Sequence, residues 1–302
     1  MICLIWRQHR GQALWTVICV TALCAFMVSY GLSAEHWLAG YHLWLRQLAA
    51  AGCPPPDAHS GAFHVRSAAT CSALKNRYPG SLQAAFASHY SFAILFSQDG
   101  LPAAFAIIGA LIGAPLVARE VEQRTHLTAW TQSVSRRRWY ATKTSALAAG
   151  LAVAGLIAGT INAWQQHQLA AGDTTSSRWS WFASVNLAPA GEAVLAFTLA
   201  VAFGAPLRRT LPAIGAAVAG FAVLLLAARW VVQALTPASK TAGPDFTTPP
   251  GSWILGSGAS VPVPYHPAGQ YWPLQVTLLA VLLALAAVAL ASGWHATRTR
   301  AV

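Results

Sequence analysis

Two charged residues lie inside otherwise apolar stretches of this 302-residue sequence: Glu192 within 187–207 and Arg229 within 211–235. A lone charge at bilayer depth costs about 2.5–3.5 kcal/mol on insertion scales, so it normally finds a partner, water or the interface. Counted along two helices from the turn between these stretches, at ~1.5 Å per residue, the two residues differ in height by about 6 Å. They could therefore form an ion pair; the alternative is that Arg229 extends to lipid headgroups while Glu192 is protonated or hydrated.

The sequence shows none of the residue patterns of a catalytic or metal site. A Walker A loop requires Gly-x-x-x-x-Gly-Lys-Ser/Thr, and the lysines that precede Thr, Lys143 and Lys240, follow no glycine loop. The ten His lie mostly in polar stretches, and none are spaced i, i+4 within an apolar segment. We therefore expect no catalytic residue, no metal site and no cofactor on this chain.

Two cysteines, Cys53 and Cys71, lie in the long stretch 33–100. If this stretch faces an oxidising compartment, a disulfide between them would close part of it. Two unpaired thiols are the alternative, because the sequence does not give the distance between them.

The composition places most of the chain in a membrane. Hydrophobic residues make up 56% of the sequence and charged residues only 9%, whereas a soluble domain carries about 25% charged residues because its surface faces water. A soluble enzyme, a disordered chain and a fibrous repeat are thereby excluded. The net charge of +11 is explained by membrane topology, so we expect no nucleic-acid partner.

Six apolar segments approach the length that a helix needs to cross ~30 Å of hydrocarbon. They cover approximately 13–32, 101–118, 144–163, 187–207, 211–235 and 273–293. The sequence therefore predicts an all-α integral membrane protein with six transmembrane helices in a single domain over 1–302. Pro102 would stand at the start of the second helix, where its ring is tolerated, and 82–96 is apolar enough for a surface or re-entrant helix. The first segment is longer than the apolar core of a signal peptide, which favours an uncleaved anchor.

Most Lys and Arg residues lie in the short stretches before, between and after these segments. The positive-inside rule places such stretches on the cytoplasmic side. The N- and C-termini and the loop 119–143 are then cytoplasmic, and 33–100 is a long extracellular loop. Trp6, Arg7 and Arg10 are typical of a short interfacial helix, or simply anchor the first span.

Two Gly-xxx-Gly repeats, Gly109/Gly113 and Gly155/Gly159, allow helices to approach closely. In Ala-rich spans such repeats arise often by chance, so packing within the chain is favoured over dimerisation.

Residues 119–143 are the most distinctive polar stretch. It begins with two carboxylates, Glu120 and Glu122, continues through Trp130, and has three consecutive arginines before Trp139. We expect a polar helix that leaves the membrane, a turn, and re-entry at Trp139. The arginines alone are explained as a membrane anchor, but the carboxylates and Trp130 are not.

This stretch resembles the permease subunits of ATP-binding-cassette (ABC) exporters of the type V class, which have six spans and are common in actinobacterial genomes. The matching residues are Glu120, Glu122, Thr125, Ala129, Trp130, Gln132, Ser133, Val134, Arg136, Arg138 and Trp139. Three further runs resemble the family in order: Trp6-Arg7-Gln8-His9-Arg10, Gly204-x-x-Leu207-Arg208-Arg209-Thr210-Leu211-Pro212-Ala213, and Tyr265-His266-Pro267-Ala268 with Tyr271, Trp272 and Gln275. Arg124 stands where the family usually has Gly, and Gly269-Gln270 where it commonly has Ser-Arg.

The resemblance implies a permease that forms the path for export of an amphipathic or hydrophobic substrate (drug, antibiotic, lipid or peptide). ATP and Mg²⁺ would be bound by separate ABC ATPase subunits, two copies of which would join a homodimer or heterodimer of permeases in the plasma membrane. The residues of the coupling helix, which docks on the ATPase, would be Glu120, Glu122, Thr125, Trp130, Gln132, Arg136 and Arg138. The alternative is a sensory or immunity membrane protein that acts without ATP; a membrane-bound enzyme would need polar residues that we do not find.

Overall fold

The computed structural model describes residues 2–54, 68–76, 82–122, 136–170, 182–236, 240–242, 253–254 and 263–299. The helices are α1 (Ile2–Ala50), α2 (Ala68–Lys75), α3 (Leu82–Leu95), α4 (Leu101–Glu122), α5 (Arg136–Ala170), α6 (Ala188–Leu207), α7 (Thr210–Leu235) and α8 (Tyr271–Thr299). A five-residue π-helix, Phe96–Gly100, joins α3 to α4 without a break; we call it the π turn. Between α7 and α8, the strands β1 (Lys240–Ala242), β2 (Trp253–Ile254) and β3 (Val263–His266) form an antiparallel sheet in the order β1-β3-β2.

Six stretches in the described part of the chain are long and apolar enough to cross a membrane. They are Leu14–Ala50, Ala85–Leu116, Tyr140–Ala170, Ala188–Leu207, Thr210–Leu235 and Ala268–Arg298. The prediction of an all-α integral membrane protein with six transmembrane helices is thus confirmed. The predicted cytoplasmic location of the two termini stays a prediction.

Helix α6 is the centre of the bundle, because most of its residues are buried against α4, α5, α7 and α8. Glycine allows the neighbouring backbones to approach it closely. A Cβ built on Gly113 would lie 2.5 Å from the Phe197 carbonyl oxygen, and one on Gly155 would lie 2.6 Å from the Ala190 Cα atom. Both Gly-xxx-Gly repeats therefore pack within the chain, as the sequence favoured: they contact α6 and, at Gly159, Asn186 just before it.

These contacts also give the direction of each helix. Going along α4 from Gly109 to Gly113, the contacts on α6 advance from Ala196 to Ala200, so α4 and α6 are parallel. The same reasoning makes α8 parallel to α6, and α5 and α7 antiparallel to it. Two ends result. The loop end contains the last residues of α1, α5 and α7 and the first residues of α4, α6 and α8; the terminal end contains the first residue of α1 and the last of α8.

The structure corrects the prediction of a loop over 33–100. Helix α1 continues to Ala50, because Leu38, Tyr41, Trp44 and Leu48 recur at helical spacing and are buried. At 49 residues and ~1.5 Å per residue, α1 is about 74 Å long, more than twice the hydrocarbon thickness. It ends where Gly52 adopts a left-handed φ of 71°, a conformation that favours glycine after a helix.

A disulfide and a hydrogen bond attach the end of α1 and the segment after it to α2. Cys53 and Cys71 form a disulfide, which is the bonded alternative of the two that the sequence left open. Trp44, near the end of α1, donates a hydrogen bond from Nε1 to the Leu74 carbonyl oxygen at 2.7 Å. Together these contacts hold α2 against the last turns of α1.

The second correction concerns 82–96. This stretch is neither a surface nor a re-entrant helix, because α3, the π turn and α4 run continuously from Leu82 to Glu122. Pro102 consequently lies inside a helix rather than at its start. A proline in a helix has no N–H to donate and its ring clashes with the carbonyl group four residues earlier. The wider π turn directly before Pro102 accommodates both effects.

Candidate functional site

Three charged side chains from three helical elements meet at the loop end of the bundle. Arg229 on α7 donates a hydrogen bond from Nη2 to Glu192 Oε1 on α6 at 3.3 Å. The Nη1 atom of the same guanidinium lies 4.0 Å from Asp99 Oδ1 in the π turn. We call Asp99, Glu192 and Arg229 the charge triad.

The members of the charge triad differ in exposure. The side chain of Glu192 is fully buried, that of Arg229 is 13% exposed and that of Asp99 is 64% exposed. Glu192 is buried because α6 is surrounded on all sides by other helices. The triad therefore forms a line of charge that leads from the middle of the bundle to its surface.

The buried part of the triad is incompletely hydrogen-bonded. Glu192 Oε2 and Arg229 Nε are both buried, and neither has a hydrogen-bond partner among the described residues. An unpaired atom of a buried charged group carries a large desolvation cost. Glu192 therefore keeps one buried acceptor atom that no described donor satisfies.

The π turn positions Asp99, and amide side chains of α5 hold the π turn. The Leu101 N–H donates to the Phe96 carbonyl group instead of that of Ser97, and Pro102 has no N–H to offer. Ser97 therefore has a buried carbonyl oxygen without a backbone donor. Asn162 Nδ2 at 2.9 Å and Gln166 Nε2 at 3.3 Å donate to it instead.

The same two amides tie the π turn to the segment that precedes α6. Asn162 Nδ2 also donates to the Ser184 carbonyl oxygen at 2.8 Å, and Gln166 Nε2 donates to Ser184 Oγ at 3.2 Å. From α8, Gln275 Nε2 donates to the Phe182 carbonyl oxygen at 2.9 Å. Side-chain amides thus join α5, the π turn, α8 and the segment before α6 at the loop end, by bonds to backbone carbonyls and to the Ser184 hydroxyl.

The structure brings together Glu192 and Arg229, the two residues that the sequence placed at similar heights. Asp99, Asn162 and Gln166 were not among the sequence-based site residues. Asp99 lies two residues before the predicted span 101–118, within the stretch 33–100 that the sequence predicts to be a loop. A signal was present: Asn162 and Gln166 are amides four residues apart on one face of a helix, at the end of an apolar segment.

The predicted coupling helix lies largely outside the described residues. Thr125, Trp130 and Gln132 belong to 123–135, which the structure does not describe. Glu120 and Glu122 are in the last turn of α4, Arg136 is the first residue of α5, and Arg138 is exposed in the next positions. The backbone of Trp6, Arg7 and Arg10 is helical and forms the start of α1, without a separate interfacial helix.

The helices that enter and leave this loop are fixed to the centre of the bundle. On the α4 side, a Cβ built on Gly204 of α6 would lie 3.0 Å from the Ala114 carbonyl oxygen. On the α5 side, the Tyr140 hydroxyl donates to the Leu290 carbonyl oxygen of α8 at 3.1 Å, and its ring packs 5.7 Å from that of Trp294. The helix that enters the loop is therefore packed on α6, and the helix that leaves it is packed on α8.

The comparison with protein families identifies what kind of protein contains these helices. The family model described as ABC-2 membrane transporter related matches residues 17–233, which extend from α1 into the last turn of α7. No curated protein and no solved structure matches the chain. With its six membrane-spanning helices, the chain therefore belongs to the ABC-2 membrane transporter-related family and is a multi-pass membrane component of an ABC transporter.

Proposed function

We propose that the chain is the permease subunit of a type V ABC exporter that moves an amphipathic or hydrophobic substrate, driven by ATP hydrolysis in a separate subunit. The observation that carries this proposal is the family match over 17–233. The six span-capable helices support it, since they are the parts from which a permease is built.

The loop 119–143 is the docking site for the ATPase in this proposal. A loop can transmit a rigid-body motion only if the helices on both sides are firmly packed. The contact of Gly204 with Ala114 on α4 and the hydrogen bond of Tyr140 on α5 meet that requirement. Trp130 would be the apolar anchor of the interface, with Glu120 and Glu122 facing basic residues of the ATPase.

A second permease subunit completes the transporter. Within one chain the middle of the bundle is occupied by α6, which packs closely on four neighbouring helices. The substrate path is therefore better formed between two permeases than through one. Two ATPase subunits, which bind ATP and Mg²⁺, then attach at the terminal end, and this end faces the cytoplasm of a cell enclosed by the plasma membrane.

The proposal predicts an ABC ATPase gene beside this one, and co-purification of the chain with that ATPase is the direct test. The parent chain is expected to retain the ATPase and to support ATP-dependent uptake of a fluorescent amphiphile into inside-out vesicles. Trp130→Ala is expected to weaken ATPase binding by about 2 kcal/mol, the effect of removing an anchor residue. Glu35→Gln, which changes an exposed carboxylate of α1, is the matched control.

Three results would contradict the proposal. One is ATP hydrolysis by the purified chain without a partner, since it contains no phosphate loop. Another is equal retention of the ATPase by the parent, Trp130→Ala and Glu122→Gln. The third is a chain that inserts correctly but never binds the ATPase, which is the result expected of an ATP-independent sensory or immunity protein.

A further inference from the structure

We propose that the charge triad binds the amine group of a cationic amphipathic molecule at the loop end of the bundle. The inference rests on the proposed function only in identifying that molecule as cargo; the binding site itself needs no ATPase.

The first argument is the charge of the site. Asp99 and Glu192 supply two carboxylates, and Arg229 supplies one guanidinium. The triad is therefore negative when all three groups are ionised, although the chain as a whole has a net charge of +11. A second cation would neutralise the site, whereas an anion would be repelled by it.

The second argument is the kind of hydrogen bond that the site lacks. Glu192 Oε2 is a fully buried acceptor without a donor in the described part of the chain. Arg229 does not supply the bond in this structure, because its buried Nε donates to no acceptor among the described residues. An ammonium group brings both a positive charge and three N–H donors, and bonds between ionised donors and acceptors are the strong ones.

Other buried amides at the loop end have more unsatisfied acceptors than donors. Asn162 Oδ1 and Gln275 Oε1 are buried acceptors without a donor in the part that the structure describes. The orientation of both amides is fixed, because their nitrogen atoms donate to backbone carbonyl groups. Gln165 is fully buried on the same helix as Asn162, and neither atom of its amide has a partner among these residues. The loop end thus offers more acceptors than donors, which favours a donor-rich ligand.

The third argument is access from the membrane. Asp99 is the exposed end of the triad and Glu192 is fully buried, so a ligand would meet the Asp99 carboxylate first and reach Glu192 only by displacing the side chains that cover it. Leu95, one turn before Asp99, and Leu226, one turn before Arg229, are exposed apolar side chains. An alkyl tail can lie against these leucines while the amine reaches the carboxylates, which is why the ligand is amphipathic rather than a small polar amine.

Equilibrium binding to the purified full-length chain tests the inference. The chain is placed in nanodiscs of uncharged phosphatidylcholine without an ATPase. Two probes are compared, dodecylamine and dodecanol. Each carries the same nitrobenzoxadiazole fluorophore at the end of its alkyl group opposite the amine or hydroxyl. We expect the amine to bind about tenfold more tightly than the alcohol, because hydrogen bonds to charged groups are stronger than neutral ones.

Variants then locate the site. Asp99→Asn and Glu192→Gln are each expected to reduce the preference for the amine to about threefold or less, since each removes one of two carboxylates. Glu35→Gln is the matched control, because it removes an exposed carboxylate from α1, a helix that contributes no residue to the triad. It is expected to keep the full preference for the amine.

Asp99→Asn keeps the inference testable if Glu192→Gln does not fold, because the Asp99 side chain is largely exposed. Equal binding of the two probes to the parent would overturn the inference and indicate that water completes the site. So would a preference that survives in both Asp99→Asn and Glu192→Gln, or one that Glu35→Gln also removes. Amine binding by a chain that is separately shown to associate with no ABC ATPase would leave the inference intact and contradict only the proposed function.

Discussion

At the loop end of this bundle, helices are joined by polar side chains that bind irregular backbone, whereas through the middle they are joined by glycine and alanine. Asn162 and Gln166 satisfy the Ser97 carbonyl group that the π turn leaves open. By contrast, Gly109 and Gly113 allow α4 to contact the backbone of α6 directly. The difference teaches that close packing positions the helices, while the polar contacts position one side chain, Asp99.

The largest effect is expected from Arg229→Leu. Removing one partner of a buried ion pair leaves Glu192 as an uncompensated charge, which costs about 3 kcal/mol. The free energy of unfolding in detergent should fall by that amount. The double variant Glu192→Gln with Arg229→Leu should recover most of the loss, because no buried charge remains. A double variant as unstable as the sum of the two single variants would contradict the pairing.

The second-largest loss of stability is expected from Gly113→Ala. A Cβ at this position would lie 2.5 Å from the Phe197 carbonyl oxygen and 2.8 Å from the Ala200 Cβ atom. Overpacking of this kind costs about 1–3 kcal/mol, measured as a lower free energy of unfolding. Gly150→Ala on α5 is the control, since nothing lies within 4 Å of a Cβ there. Equal stability of the two variants would show that α4 is not held by close packing.

Asn162→Leu should have a smaller effect, about 1 kcal/mol, because it removes two hydrogen bonds whose net contribution in membranes is modest. Its distinctive result is local: amide hydrogen exchange should increase at 96–100, where Ser97 loses a donor. Thr160→Val, which changes an exposed residue that bonds its own helix, should leave that exchange unchanged. Unaltered exchange at 96–100 in Asn162→Leu would show that the Asn162 amide does not stabilise the π turn.

Tyr140→Phe is expected to have the smallest effect, about 0.6 kcal/mol, which is the average of hydrogen bonds measured between membrane helices. The variant removes the bond to the Leu290 carbonyl oxygen and keeps the ring. If its loss of stability exceeded that of Asn162→Leu, the terminal end would depend on polar contacts at least as much as the loop end. Polar contacts would then not distinguish the loop end from the rest of the bundle.

The apolar segments predicted the helices well because burial in lipid imposes one simple requirement, a long apolar stretch. The similar heights of Glu192 and Arg229 could also be predicted, because both positions are counted from the short turn between α6 and α7 at a constant rise per residue. The π turn could not be predicted in this way. Pro102 is compatible with a helix start or with a bulge inside a helix. The packing of Phe86, Tyr90 and Ala93 with residues of α1 and α5 decides between them.

The continuation of α1 beyond residue 32 was missed for a related reason. Glu35 and Arg46 interrupt the apolar sequence, which suggested a loop, yet both residues project from a helix whose other face is buried. The disulfide depends on how α2 folds back on α1, a distance between two helices that no local pattern contains. The position of Asp99 beside Arg229 depends on the π turn, so it could not be predicted from the sequence either.

The central position of α6 has a consequence for how the chain is made. It is the fourth of the six span-capable helices in sequence order, yet α4 and α5 both have their glycine faces against it. During synthesis on the ribosome, those faces are complete before α6 has been translated. The early helices must therefore wait in the lipid, or beside the insertion machinery, without their main packing partner. Arrival of α6 is then the step at which assembly of the bundle becomes cooperative, because it supplies a shared surface to helices already present and to α7 and α8 that follow.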